Sequence, residues 1–308
     1  MNKQVIGIDV GGTWVRVARI DSEMNVVAKT ATKTTSFKTV DEYLTGLSQM
    51  ISVVDPEQLA TEVGMIVPIP WKDGMTHFQD ATNVPFLENI AIDDIRNHFP
   101  HHQVLFENDV NVVALLESQV ETRKKPASLV YITVSTGIGS GIVVNNQIWQ
   151  GAKGYAGEVG NMTVYERNRN VVALFEDVCS GSALDAIAKT YYGADATSQH
   201  LFAAYEQKDD RAIETIDIWL ETFSSTLASL MHVINPELFV LGGAVICHNQ
   251  WLVEEIVSRT RPKLFENLRP HLKVELSYYG SDSGVLGGAH LCFRNNFQHS
   301  DEKRKKVG

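Results

Sequence analysis

Lys3–Gln4–Val5–Ile6–Gly7–Ile8–Asp9–Val10–Gly11–Gly12–Thr13 decides how the rest of the chain is read. It opens as an apolar run of strand character and breaks at Gly11–Gly12–Thr13. A second strand-like run, Trp14–Val15–Arg16–Val17–Ala18–Arg19–Ile20, follows at once. Two such runs joined by so few residues, with glycines between them, predict a hairpin. The same plan recurs at Leu129–Val134, then Ser135–Thr136–Gly137–Ile138–Gly139–Ser140–Gly141, then Ile142–Val144. Glycine lets the backbone approach a ligand closely and adopt positive φ, so that successive N–H groups converge on an anion such as a phosphate. Neither turn is a Walker A loop, and Gly137–Gly141 leads into a β-branched run rather than opening a helix as a dinucleotide fingerprint must. Each alone reads equally well as an ordinary tight turn. Their company argues for more: an acid at the strand end (Asp9), hydroxyls at Thr13 and Thr136, and two matching units. They are read as phosphate-holding hairpins facing one cleft.

The chain has 308 residues, 44% of them hydrophobic, enough for a substantial core and about two domains. A formal charge of −10 argues against a nucleic-acid-binding surface, which needs clustered Lys and Arg. The basic run Lys303–Arg304–Lys305–Lys306 reads as a solvated terminus. No signal peptide precedes the first strand and no apolar run is long enough to span a bilayer, so a cytoplasmic protein is expected. The scattered Cys179, Cys247 and Cys292 fit neither a disulfide framework nor a metal cluster, as suits a reducing compartment.

Between the two hairpins, Tyr43 to Val54 has helical spacing and Val63–Val67 reads as a strand stopped by Pro68 and Pro70. Asn83–Val84–Pro85 reads as a loop, because Pro85 pushes its neighbour out of the helical region. Gln103–Glu107 is a further strand ending in Asn108–Asp109, and helical spacing runs from Val110 through Leu115, Leu116 and Val120. In the second half, Ile216 to Ile234 predicts a long amphipathic helix and Glu237–Leu241 a strand broken by Gly242–Gly243. Another helix is expected to begin near Asn249. Gly284, Gly287 and Gly288 line one side of an expected final helix, permitting close packing on a neighbour. Alternating strands and helices in two similar halves argue for two α/β domains. The first is expected at 1–122, rejoined by the C-terminal helix at about 284–300, and the second at 123–283, with the boundary at Arg123–Lys124–Lys125–Pro126.

Taken together, several short stretches resemble the ROK family of sugar kinases and repressors over essentially the whole chain. They are Asp9–Val10–Gly11–Gly12–Thr13 with Arg16, Asn83–Val84–Pro85, Glu107–Asn108–Asp109–Val110–Asn111, Thr136–Gly137–Ile138–Gly139–Ser140–Gly141, Gly157–Glu158–Val159–Gly160, Ser180–Gly181 and Leu241–Gly242–Gly243. Singly these are weak; their order and spacing make the match specific. The resemblance implies an actin-like ATPase (ribonuclease H-like) fold, with two related α/β domains around a central cleft. It also implies transfer of the γ-phosphate of ATP to a sugar hydroxyl, usually the 6-hydroxyl.

Such a transfer needs a carboxylate beside the attacking hydroxyl to accept its proton. Asp109 is the expected base; capping the helix that begins at Val110 is its plainer reading. By the same resemblance Asn83, Asn108, Glu158 and Glu176 are expected to hold sugar hydroxyls. Asp9 is expected near Mg²⁺, Gly11, Gly12, Thr13, Thr136 and Gly137 at phosphates, and Gly242 and Gly243 beside the adenosine. Many members follow Glu-x-Gly with a sugar-contacting His and a Cys-rich zinc knuckle. Here the His position is Asn161 and no Cys lies between it and Cys179, so no zinc is expected and the sugar is left open. Glucokinase, allose kinase, N-acetylmannosamine kinase and β-glucoside kinase activities all fit. The family also implies a homodimer. A sugar-sensing regulator of the same family is the alternative, but such proteins carry a helix-turn-helix ahead of the first strand, and only Met1 and Asn2 precede Lys3.

Overall fold

The structure, a computed structural model, describes residues 3–166, 170–280 and 282–305, with side chains described as far as 294. Contacts divide the chain into two compact units: residues 1–116, 150–156 and 279–308 form the first, and residues 117–149 and 157–278 the second.

The first unit is built on five strands, β1 (Gln4–Val10), β2 (Trp14–Asp21), β3 (Val26–Lys33), β4 (Glu62–Val67) and β5 (Gln103–Asn108), in the order β3-β2-β1-β4-β5. β1, β2 and β3 form an antiparallel meander, while β4 runs parallel to β1 and β5 parallel to β4. The central β4 is buried at every position, hence its unbroken apolar reading. β3, at the sheet edge, alternates half-buried and exposed residues, and its polar composition hid it from the sequence reading. The Val40–Val54 helix begins where Thr39 accepts a hydrogen bond from the Glu42 N–H and buries Tyr43, Leu44, Leu47, Met50, Ile51 and Val54.

The final helix, Ser283–Lys305, lies on β1 and β4 with backbone against backbone. A Cβ on Gly64 would sit 1.8 Å from the Gly288 carbonyl oxygen, and one on Gly288 would sit 2.3 Å from that of Gly64. Side chains there would force the helix off the sheet, so the glycine stripe is a packing requirement. The Asp109–Ser118 helix is shorter than its spacing predicts: Val120 is buried but lies beyond its end.

The second unit repeats the sheet plan. Its strands are β6 (Ser128–Val134), β7 (Ile138–Val144), β8 (Gln147–Ile148), β9 (Thr163–Glu166), β10 (Val171–Leu174), β11 (Leu238–Gly242) and β12 (Val274–Leu276). The sheet order is β12-β11-β6-β7-β8, again an antiparallel meander flanked by two parallel strands, with β9 and β10 a separate hairpin. The Asp210–Val233 helix starts well before Ile216 because Asp209 caps it, accepting from the Arg211 and Ala212 N–H groups. Trp219 and Phe223, stacked 4.9 Å apart on its buried face, anchor the core, and the Trp219 indole N–H donates to the Cys179 carbonyl at 2.8 Å.

Candidate functional site

In the first unit the parallel register brings the acids to one edge of the sheet. Asp9 lies opposite Ile66, which lies opposite Glu107, while Val67 lies opposite Asn108. Two strand spacings separate Asp9 from Glu107, roughly 10 Å. These are the carboxyl ends of the parallel strands, where open α/β sheets place their ligands. Asp9 also pairs across the hairpin with Arg16, whose guanidinium lies 3.0 Å from its carboxylate. Burial dominates over that partner and pushes the Asp9 carboxyl up, so the position favours a further positive charge.

The turn after β1 is held from behind. The Gly11 N–H donates to the Trp14 carbonyl at 2.9 Å and the Thr34 hydroxyl to the Gly11 carbonyl at 2.6 Å. Gly12 and Thr13 are exposed beyond these bonds. Asn83 adjoins this turn: a Cβ on Gly12 would meet the Asn83 carbonyl oxygen at 3.4 Å. The structure thus brings Gly12 and Asn83 together, a juxtaposition across 71 positions that only the resemblance suggested.

At the end of β5 the helix cap is Asn108. Its Oδ1 accepts from the N–H groups of Val110 at 3.0 Å and Asn111 at 3.1 Å, and its Nδ2 donates to the Ile69 carbonyl at 3.2 Å. An amide nitrogen carries a second hydrogen, which this geometry leaves to Asn108 for a ligand. Asp109 opens the helix as its first residue, half-buried, and its Oδ1 shares the Val110 N–H with Asn108, accepting from it at 2.9 Å. Capping, the plainer reading of Asp109, is therefore work that Asn108 performs.

Behind this turn sits Glu107, 5% exposed. Its carboxylate accepts from the Asn108 N–H at 2.9 Å, the Asn111 Nδ2 at 3.2 Å and the Gln150 Nε2 at 2.8 Å. Burial outweighs these three donors and pushes the Glu107 carboxyl up to about 7. In the sequence Glu107 stands out only as part of the Glu107–Asn111 motif, and nothing there singles out Gln150.

In the second unit the turn after β6 is closed by the Ser135 N–H donating to the Gly137 carbonyl at 2.9 Å. The Gly181–Tyr192 helix, capped by Ser180, starts on this turn: the Gly181 N–H donates to the Ser135 carbonyl at 2.7 Å and the Ser182 N–H to that of Thr136 at 3.0 Å. Gly243, at φ +84°, lies against Val134, so close that a Cβ would come within 2.3 Å of its carbonyl oxygen. The unit therefore gathers Thr136, Gly137, Gly242 and Gly243 at the ends of β6 and β11, paired Thr133 to Gly242.

The second unit also joins the expected sugar residues to the glycine turn. The Glu176 carboxylate accepts from the Ile138 N–H at 2.6 Å, and a Cβ on Gly137 would meet it at 2.5 Å. Gly160, in the Val159–Asn161 turn, packs on the Ile138 carbonyl and on Glu176. Asn161 Nδ2 lies 3.5 Å from the Glu158 carboxylate, and both residues are exposed. Glu176 is thus engaged with the backbone of the glycine turn, a contact that sequence spacing could not show. Among the described residues no group of three or more His, Cys, Asp and Glu side chains could hold a metal ion, and no helix is long and apolar enough to cross a membrane.

Comparison with known proteins bears on this arrangement over its full length. Residues 5–295 match the ROK family. A glucokinase of Thermotoga maritima is 24% identical, covering 94% of this chain and 96% of its own. An N-acetyl-D-glucosamine kinase of Pasteurella multocida is 22% identical, covering 92% and 98%. The crystal structure of a ROK family glucokinase from Streptomyces griseus, in complex with glucose and AMPPNP, superposes with a TM-score of 0.76 at 22% identity, covering 94% of this chain and 98% of that one. The fold is accordingly the actin-like ATPase fold expected from the sequence, mixed α/β with two five-stranded sheets.

Proposed function

We propose, from the premise that this chain belongs to the ROK family, that it is an ATP-dependent sugar kinase acting on the 6-hydroxyl of a hexose or 2-acetamido-hexose. Relatives named glucokinase and N-acetyl-D-glucosamine kinase support that substrate range. The observation that carries the reading is the arrangement at the end of β5, where Asn108 caps the helix from the position before it and Asp109 stands inside the helix as its first residue. Asp109 is the general base: it accepts the proton of the sugar hydroxyl as that oxygen attacks the γ-phosphate.

Asn83, Asn108, Glu158, Asn161 and Glu176 orient the sugar by hydrogen bonds to its hydroxyls. The N–H groups around Gly11–Thr13 and Thr136–Gly137 receive phosphate oxygens, and Gly242–Gly243 borders the adenosine. Magnesium is usually held by one or two carboxylates together with substrate phosphates, and Asp9, at the root of the Gly11–Thr13 turn, would supply such a carboxylate. When bound, the ion neutralises charge on the phosphates.

A coupled ADP-release assay over glucose, mannose, fructose, allose, N-acetylglucosamine, N-acetylmannosamine and a β-glucoside tests the proposal. At least one sugar should drive ATP turnover, and its 6-deoxy analogue should bind without doing so. No turnover with any of them, at millimolar sugar and ATP with magnesium, would contradict it.

A further inference from the structure

We propose that Glu107 is a positioning residue for the phosphoryl transfer, whose ionised carboxylate holds the Asn108–Asp109 turn and the 150–156 segment in one arrangement. The geometry is that of a hub. One carboxylate oxygen gathers the Asn108 N–H and the Asn111 amide, both flanking Asp109, and the other takes the Gln150 amide from 43 residues away.

The segment that Gln150 begins is itself fitted to the first unit. Lys72 Nζ donates to the Ala152 carbonyl at 2.8 Å, the Tyr155 hydroxyl bonds the Asp80 carboxylate, and Gly154, at φ +88°, lies against the Trp71 carbonyl. It leads in sequence directly into Gly157–Glu158. Gln150 thus ties this segment to the strand end bearing the base, its amide donating to Glu107 at 2.8 Å.

A purely structural glutamate at this depth would be expected to face a cation. Glu107 faces amides alone, and the ionised group whose field reaches it, Asp73, opposes its charge. A carboxylate kept at a cost to the fold, at the root of the catalytic turn, is the pattern expected of a residue retained for function. Its protonation, near pH 7, removes acceptor capacity from a hub with three donors. The 150–156 segment is then released and the turn that presents Asp109 loosens.

The inference rests on the kinase reading, and the experiment separates the two. Wild type, Glu107→Gln and the swap Glu107→Gln with Gln150→Glu are compared by kcat and KM from pH 5.5 to 9, and by thermal unfolding at pH 8. Expected for wild type is a kcat that falls below about pH 7. Glu107→Gln should lose about tenfold or more in kcat at pH 8, keep its KM for ATP within about twofold, lack the limb near pH 7, and unfold at a higher temperature. The swap, which restores a carboxylate–amide pair, should recover most of the lost kcat. Wild-type kcat and pH profile in Glu107→Gln would overturn the inference alone. So would a variant that is less stable than wild type or fails to fold, the result an ordinary structural glutamate gives. A wild type that phosphorylates no sugar would remove the kinase reading and this inference together.

Discussion

Two buried glutamates stand at either end of the Asp109–Ser118 helix, and they are held in opposite ways. Glu117, within the second unit, is fully buried and ion-paired with Arg123, whose side chain is 4% exposed. It accepts in addition from the Ser277 hydroxyl and the Tyr278 N–H, while Arg123 also donates to the Leu276 carbonyl at 2.7 Å and pairs with Glu275 at 2.8 Å. Glu107, within the first unit, has three amide donors and no cation. A buried charge with its counterion is a structural joint, because removing either partner strands the other. A buried charge served by dipoles alone sits close to neutrality and can change state within the physiological range. The difference separates a glutamate that holds the fold from one set beside the proposed base.

The largest effect expected from this contrast is on Glu117. Glu117→Ala should destabilise the protein by about 3–5 kcal/mol, because Arg123 is left with only the half-exposed Glu275 as its counterion while the Ser277 hydroxyl and Tyr278 N–H lose their buried acceptor. Chemical denaturation reads this directly, and a loss below about 1 kcal/mol would mean that Glu117 is no joint. Replacing both partners, Glu117→Leu with Arg123→Met, should restore much of the loss, since apolar residues of similar volume leave no charge stranded.

A smaller effect of opposite character is expected at Glu107. In the unfolded chain its carboxyl titrates near 4.5, and in the fold it keeps its proton up to about 7. Between these values the folded state binds more protons, so stability falls as pH rises through the window and levels off above it. At about 1.4 kcal/mol per pH unit, the full span amounts to about 3 kcal/mol. Urea unfolding of wild type at pH 5 and pH 8 should differ in that direction, and the difference should shrink in Glu107→Gln. An unchanged difference would show that another group is responsible.

Much of this fold was legible because its signals are local. The two hairpins announced themselves as apolar runs with glycine between, and both pair antiparallel as read. The glycine stripe at 284, 287 and 288 foretold a close approach, and Gly64 facing Gly288 is its physical form. What stayed hidden is long-range or depends on atoms rather than pattern. That residues 150–156 belong with the first unit follows from Gln150 reaching Glu107 and Lys72 reaching Ala152, contacts that no spacing encodes. Asn108 and Asp109 are equally good caps by residue type, and only geometry assigns the role to Asn108. The resemblance marks Glu176 as a sugar ligand, and nothing in the sequence announces its bond to the Ile138 N–H.

The central claim is that Asp109 takes the proton of the sugar hydroxyl while its neighbours maintain the turn. The most direct measurement is single-turnover phosphorylation by Asp109→Asn at saturating sugar and ATP, alongside sugar binding to the same variant by calorimetry. The account predicts that phosphorylation falls by about 10²–10⁴-fold while the sugar still binds within about tenfold of wild type and the protein unfolds normally. Phosphorylation by Asp109→Asn at near wild-type rate would contradict it.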